Sequence, residues 1–228
     1  MKKFKNYPGW ELKYFDKAKN FRLYQYDLIK SHIKGNVAEI GPGNGVFINS
    51  YITNSKKVFL FEPSKNFNKK LKKYESSKVI IINKNFKEKI NSFNTILYLD
   101  VIEHIYDDLF EIKKAYKSLK KNGSLIINVP AFQHLYSQFD KDILHFRRYS
   151  KNDIIKLLNK ANIKKYEIKY FDSVGYLLSI FSKILSKNYK KNLNIKIKLW
   201  NFLIPISKII DTLVFHTFGK SLLIIIKK

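Results

Sequence analysis

Two carboxylates bracket a run of glycines in the first third of the chain. In "VAEIGPGNGVF", Val37 to Phe47, Glu39 stands two residues before Gly41, and Gly43 and Gly45 follow at alternate positions. Glu62 closes the next apolar run, 17 residues beyond Gly45. A strand, a glycine-rich turn and a helix in succession bring a ligand against backbone N–H groups at a helix N-terminus. By itself such a turn is also a common structural device. The acids narrow the chemistry. A carboxylate placed like Glu62 accepts hydrogen bonds from both hydroxyls of a ribose. One inside the first strand, like Glu39, needs a compensating partner when buried. A pyrophosphate would be repelled there, whereas a cationic ligand with an amino group and a sulfonium would be held.

Two further clusters carry titratable or bidentate groups. "DVIEHI" places Asp100, Glu103 and His104 directly behind the fourth apolar run, although acidic residues are also ordinary at a helix start. "HFRRYS" contains His145, Arg147, Arg148 and Tyr149, preceded by His134 and Asp140. Two of the three arginines of the chain fall side by side here. That choice suits bidentate grip on a phosphate or carboxylate; the alternative is an ion pair with Asp140 or Asp142 that pins the loop. A histidine near neutral pH suits removal of a hydroxyl proton. His104 and His145 are the candidates, with His134 behind them, and each could instead be a hydrogen-bonded structural group.

Positioning these residues requires alternating strands and helices. "AKNFRLYQYDLIKSHI" repeats Phe21, Tyr24, Leu28, Ile29 and Ile33 at helical spacing and reads as a leading helix closed by Gly35. Short apolar runs follow in "NVAEIG", "KVFLFEP", "KVIIINKNF" and "NTILYLD", separated by Lys-rich stretches such as "NFNKKLKKYE". A fifth, "GSLIINVP", comes after the helical "LFEIKKAYKSLKKN", with Gly123 as its stop. This alternation predicts βαβ units wound on both faces of a sheet. "SKNDIIKLLNKANI" reads as a helix capped by Ser150, and "KKYEIKYFDS" as a strand. Val174 to Phe218 is apolar and helical, and "KSLLIIIKK" is a final strand, so the last two strands fit an antiparallel edge pair. Within the excursion, "LWNFLIPISKIIDTLVFHTF" puts Asn201, Lys208 and Thr212 on one narrow stripe amid broad apolar surface. Such a segment could cap the fold, cover a greasy substrate or lie in a lipid headgroup layer.

The 228 residues suffice for one sizeable domain. The net charge of +26 suits nucleic acid or anionic lipid, but it is evenly spread: 41 of the 44 basic residues are Lys once the three arginines are set aside. A solvated surface is the preferred reading of that charge. The absence of cysteine excludes disulfides, thiolate metal sites and a thiol nucleophile. "MKKFKNYPGWELKYFD" lacks the apolar core of a secretory signal, and no run reaches the roughly 18 apolar residues of a membrane span. A cytoplasmic protein is expected, with peripheral contact at the inner membrane face through 174–218 as a further possibility.

As a set, "VAEIGPGNGVF", the carboxylate of "FEPS" and "LDVIEHI" resemble the binding motifs of class I S-adenosylmethionine-dependent methyltransferases, over nearly the whole chain. "AKNFRLYQYDLI", "QHLYSQFDKDILHFRRYSKNDIIKLL", "YFDSVGYLLS" and the final "LLIIIKK" further resemble a bacterial subgroup, similar to methyltransferase types 11 and 12, linked to surface-polysaccharide or lipid pathways. The resemblance implies an α/β fold: a Rossmann-like, doubly wound sheet of seven strands with an antiparallel edge strand and a helical insertion before the last strand. Residues 1–228 would form one domain, with a helical lead-in at 1–35, a cofactor-binding core at 36–130, a substrate-side loop at 131–150 and an apolar helical insertion at 174–219. The cofactor would be S-adenosyl-L-methionine. Glu39, Gly41, Gly43 and Gly45 would line its methionine half, with Arg22 near the carboxylate, and Glu62 would hold its ribose. Asn85, where many relatives carry Asp, and Phe86 would sit beside the adenine, with Leu99 beneath the cofactor.

With methyl transfer as the reaction, His104 and His145 are the candidate catalytic residues, and a loop after the fifth strand, standing over the carboxyl edge of the sheet, sets His134, Arg147, Arg148 and Tyr149 on the acceptor side. Related quinone and small-RNA methyltransferases bind a divalent ion through a motif that Asp100, Glu103 and His104 match. Relatives without metal also carry Glu-His there, and the metal-free reading is preferred. The acceptor would be a small molecule, a saccharide or a lipid-linked group, methylated at oxygen. Alternatives are an RNA methyltransferase or a non-catalytic membrane-surface protein that has kept the fold. Nucleic acid is disfavoured: carbon-5 pyrimidine methylation needs a thiolate, and no Asn/Asp-Pro-Pro-aromatic stretch follows the fourth strand. Methylation of ribose or elsewhere in RNA stays open.

Overall fold

The computed structural model describes residues 7–185 and 190–228. Residues 1–6 of the expected lead-in and 186–189 of the apolar excursion lie outside them. Helix α1 (Leu12–Phe15) and helix α2 (Lys19–Ile29) precede β1 (Gly35–Ile40), then α3 (Ile48–Tyr51), β2 (Ser55–Phe61), α4 (Lys65–Leu71), β3 (Val79–Ile82) and β4 (Phe93–Leu99). Helix α5 (Asp108–Ser118), β5 (Leu119–Pro130), α6 (Gln138–Asp142), α7 (Lys151–Lys160) and β6 (Tyr166–Phe171) follow. The chain ends with α8 (Ser173–Leu185), α9 (Leu193–Leu213) and β7 (Ser221–Lys227).

The seven strands form one sheet in the order β3-β2-β1-β4-β5-β7-β6. Strands β1 to β5 pair in parallel, and β7 runs antiparallel to both β5 and the edge strand β6. This is the expected fold, with α8 and α9 as the insertion before the last strand. Strand alternation divides the core between the two faces. Ala38 and Ile40 join Ile112, Ala115, Ile154 and Leu158 of α5 and α7 on one side. Val37, Leu60 and Leu97 join Phe21, Tyr24, Ile48, Ile197 and Trp200 of α2, α3 and α9 on the other. The strand order reverses between β1 and β4, and a crevice opens there at the carboxyl ends of the strands.

Local signals behave as their chemistry requires. Ser150 caps α7 by accepting from the Asp153 N–H, and Asp153 returns the bond to the Ser150 N–H. Two expected stops move. The leading helix ends at Ile29, and Gly35 is the first residue of β1. Helix α5 ends at Ser118, not Gly123. Residues 119–123 join the sheet because the chain end pairs with them: Asn122 N–H donates to the Lys228 carbonyl and Lys228 N–H to the Gly123 carbonyl. Gly123 is required by close approach, since a Cβ there would lie 2.8 Å from the Lys120 carbonyl oxygen.

The polar stripe of α9 faces α2. Asn201 accepts from the Phe21 N–H at 3.1 Å, and Lys208 reaches Asp27 at 2.7 Å. Buried Asp211 accepts from the N–H groups of Asp172 and Ser173 and from the Tyr24 hydroxyl, capping the start of α8 from a neighbouring helix. The segment therefore caps the fold with Ile197, Trp200 and Ile204 turned inward, while Phe202, Ile209 and Leu213 remain outside.

Candidate active site

At the end of β1 the loop 41–47 bends under its neighbours. Gly41 N–H donates to the Phe61 carbonyl at 2.9 Å. Gly43 N–H donates to Glu62 Oε2 at 3.2 Å, and Ser64 N–H to Glu62 Oε1 at 2.9 Å. Above the loop lies a cavity of about 1530 Å³ whose lining includes Arg22, Glu39, Gly41, Gly43 and Glu62. Asn85, Phe86 and Leu99 line it as well. Gly45 does not: a Cβ there would lie 2.6 Å from Leu71 Cδ2 and 2.8 Å from Tyr74 Cε2, on a backbone with φ +75°. Its freedom from a side chain serves the packing of the loop on α4. Gly45→Ala is expected to cost about 1–3 kcal/mol of stability, measured by thermal denaturation, whereas a side chain at Gly43 would meet only Leu12 Cδ1, at 3.1 Å, and would project over the loop.

The two acids differ in environment. Glu39 is buried and accepts from the Tyr51 hydroxyl of α3. Burial raises its pKa from 4.5 to about 7, against the Tyr51 bond and the more distant charge of Arg22. Glu62 is also raised by burial, with the Ser64 and Gly43 N–H groups opposing. Arg22 contacts Gln25 at 2.8 Å and lies 3.6 Å from Asp100.

A second group meets at the cavity floor. Glu103, His104 and His145 each bring one ligand-type atom within 4.8 Å of the others. Asp100, expected in this set, is turned away: it accepts from Asn128 Nδ2 at 2.5 Å and faces Arg22. Glu103 is fully buried, and both its carboxyl oxygens lack a hydrogen-bond partner among the described residues. Burial and the charge of Asp100 push its pKa well up. His145 Nε2 stands 3.7 Å from Glu103, while its Nδ1 contacts Asp140 at 2.8 Å. His104 packs edge-on against His145, at 4.6 Å between ring centroids, and its Nδ1 lies 3.3 Å from the Leu144 carbonyl. Burial first, then His145, holds the His104 pKa down at about 3.

The paired arginines part company. Arg148 lines the cavity but is spent on Asp140, with Nε at 2.8 Å and Nη2 at 3.1 Å. Burial works against the Asp140 charge, yet the bonds from His145 and Arg148 outweigh it and hold that carboxyl well below the usual range. The loop-pinning ion pair is thus the arrangement found. Arg147 points into a separate small pocket and binds Asp108 at 2.8 Å and the Tyr106 carbonyl. Tyr149 donates to the same Asp108 at 2.9 Å. His134 sits outside the cavity lining, with Nε2 3.2 Å from the Tyr176 hydroxyl. Of the four residues expected on the acceptor side, Arg148 alone lines the cavity.

Other lining residues carried no local signal. The segment before α1 crosses the site: the Tyr7 hydroxyl donates to buried Glu11, and its ring packs edge-on to His104 at 4.9 Å. Lys220, just before β7, holds its Nζ 4.3 Å from the Trp200 ring centroid, and burial lowers its pKa against the pull of Asp172. The cavity then runs on between Phe139, Leu178, Phe181 and Leu199.

Comparison with known proteins accords with this geometry. A family described as "Methyltransferase domain" matches residues 12–168. A SAM-dependent methyltransferase from Archaeoglobus fulgidus superimposes with a TM-score of 0.65 at 17% identity, covering 98% of this chain and 100% of that one. A phosphoethanolamine N-methyltransferase from Haemonchus contortus, solved with S-adenosyl-L-methionine, gives 0.63 at 15% identity, covering 92% of this chain and 52% of that one. A DNA-directed RNA polymerase subunit beta from Neospora caninum is 32% identical over 183 residues, 75% of this chain; the chain spans 14% of that protein's length. The family match over most of the chain makes it a member of the methyltransferase domain family, and its sheet order is that of solved S-adenosyl-L-methionine-dependent methyltransferases.

Proposed function

We propose that the enzyme methylates an oxygen of a small-molecule, saccharide or lipid-linked acceptor, with Glu39 and Glu62 holding the cofactor and His145 removing the acceptor proton. The observation that carries this reading is His145, held through Nδ1 by Asp140 and lining the same cavity as Gly41, Gly43 and both acids. The donor set fits the cofactor. Glu39 is a buried acid facing the cavity with a hydroxyl rather than a salt-bridged cation against it, so an ammonium compensates its charge. Glu62 is already oriented by two N–H groups and keeps lone pairs for ribose hydroxyls. Asn85 and Phe86 border the adenine side, Leu99 supports the cofactor from below, and Arg22 stands near the carboxylate end. When bound, S-adenosyl-L-methionine supplies an electrophilic methyl on a sulfonium.

The chain contributes position and proton transfer. His145 keeps its Nδ1 hydrogen on Asp140, which leaves Nε2 as acceptor for a hydroxyl proton and stabilises the imidazolium that results. His104, neutral across the physiological range, borders the reacting oxygen and holds the ring of His145 edge-on. Arg148 acts through Asp140 as a positioning residue. Tyr7 and Glu11 cover this floor and exclude water.

Titration calorimetry tests the cofactor half. S-adenosyl-L-methionine and its demethylated product should bind the wild type, and Glu62→Ala should abolish measurable binding; intact binding would misplace the ribose. Because Glu39 is mostly protonated near pH 6 and an ammonium favours its ionised form, binding at pH 6 should release close to one proton, about 0.9. Heats compared across buffers of different ionisation enthalpy count it, and Glu39→Gln should release none. For the acceptor half, transfer of radiolabelled methyl into cell extracts should yield label stable to mild alkali, as for an ether. Alkali-labile label would indicate a carboxylate acceptor.

A further inference from the structure

Helix α9 is apolar on both sides: Ile197, Trp200 and Ile204 pack inward, and a second apolar stripe lies outside. Ser207 and Asp211 are buried, while Ile195, Leu199, Phe202, Ile206, Ile209 and Leu213 recur at spacings of four and three along the outside. Phe202 is 73% exposed, Leu213 71%, and Phe215 just beyond the helix 86%. A helix in water turns its apolar stripe inward, and an apolar stripe left outside marks an interaction surface. Leu199 belongs both to this stripe and to the cavity wall, which Phe181 of α8, itself 59% exposed, also lines. The apolar face and the cavity mouth are therefore one surface.

We propose that the outward face of α8 and α9 seats the protein on an anionic lipid bilayer, with the cavity mouth against the membrane, so that an amphiphilic acceptor enters from the lipid. Three observations select this occupant. Lys191 and Lys198 are exposed beside the stripe, within a chain of net charge +26; such a charge draws the face to anionic headgroups and opposes its burial against a second copy of the same chain. The opening through Leu199 and Phe181 gives the contact a use that pairing of two copies would block. Among the described residues no helix is long and apolar enough to cross a membrane, so the stripe lies along the surface. Entry of the acceptor rests on methyl transfer in this cavity; the docking is tested without turnover.

Flotation of the full chain with vesicles of phosphatidylcholine, alone or mixed with phosphatidylglycerol, provides the test. The wild type should float with the mixed vesicles and not with pure phosphatidylcholine, and less in high salt. Phe202→Glu with Ile209→Glu, both outside the cavity, should weaken flotation at least about tenfold while leaving cofactor affinity unchanged. Lys198→Glu should weaken it less, and only at low salt. Absence of wild-type flotation, or equal flotation of the double variant, overturns the proposal. So does a wild-type dimer in sedimentation that the double variant dissociates without any vesicle binding, since a second copy would then cover the face. Flotation by a protein that fails to bind the cofactor would instead overturn the reading of the cavity and leave the docking standing.

Discussion

Replacing Glu39 by glutamine is expected to stabilise the cofactor-free protein at pH 8 while removing most of its cofactor affinity. The sign follows from the direction of the shift. Burial raises the folded pKa from 4.5 to about 7, so the contribution of this group to stability is fully present below the unfolded value and is lost as pH rises through 7. At pH 8 the free protein carries a buried carboxylate at a cost of roughly 3 kcal/mol. Glutamine still accepts from the Tyr51 hydroxyl but carries no charge, and a gain of about 1–3 kcal/mol should appear as a rise in melting temperature of ~3–10 °C. At pH 5 the two proteins should melt together, because Glu39 is then protonated. Calorimetry should show cofactor binding weaker by about 2–5 kcal/mol, the usual loss when one partner of a desolvated charge pair is removed. A variant less stable than wild type at pH 8 would mean that a protein cation already compensates Glu39, and the cofactor's amino group would lose its assigned partner.

Asp140→Asn should be the most destabilising single change at the site. Fully buried Asp140 takes two bonds from Arg148 and one from His145, and both the N–H and hydroxyl of Ser137 reach it at the start of α6. Its replacement leaves the Arg148 guanidinium buried without a counter-charge, at a cost of about 3–5 kcal/mol, readable in chemical denaturation. His145→Gln removes only one hydrogen-bond partner of Asp140 and should cost about 1–2 kcal/mol. Activity should order the variants differently. As the proposed base, His145 accounts for roughly 10²- to 10⁴-fold in the methyl-transfer rate, so the milder fold variant should be nearly inactive with cofactor affinity unchanged. Combining Asp140→Asn with Arg148→Gln should recover much of the stability and none of the rate, because the uncompensated charge has gone but the orientation of His145 has not returned. Equal activity of His145→Gln and wild type would move the base elsewhere in the cavity, with His104 first to be examined.

These contrasts mark the boundary between sequence and fold. The order of strands and helices, the glycine loop between two acids and the Ser150 cap were all readable from the chain, because burial at a period of two or 3.6 residues and a capping side chain act over a few positions. The family resemblance rested on the same short stretches, and the cofactor residues it implied, Gly45 apart, line the cavity. Where distant segments meet, local pattern carried no information. Gly45 stands two residues from Gly43 in the same loop, yet it faces Leu71 and Tyr74 because α4 folds back over that end of the loop. Arg147 and Arg148 are adjacent and of one type, but alternate side chains of an extended segment point to opposite sides, so one reaches Asp108 and the other Asp140. His104 and His145 come together only because the loop after β5 crosses the end of β4, and Tyr7 reaches them from the chain start. The apolar run of α9 was visible, but which side of it would be buried depended on where Asp172, Tyr24 and Phe21 waited for hydrogen-bond partners and aromatic contacts. Periodicity fixes what a segment can form; the unmet polar groups and exposed faces of the other segments decide which way it turns.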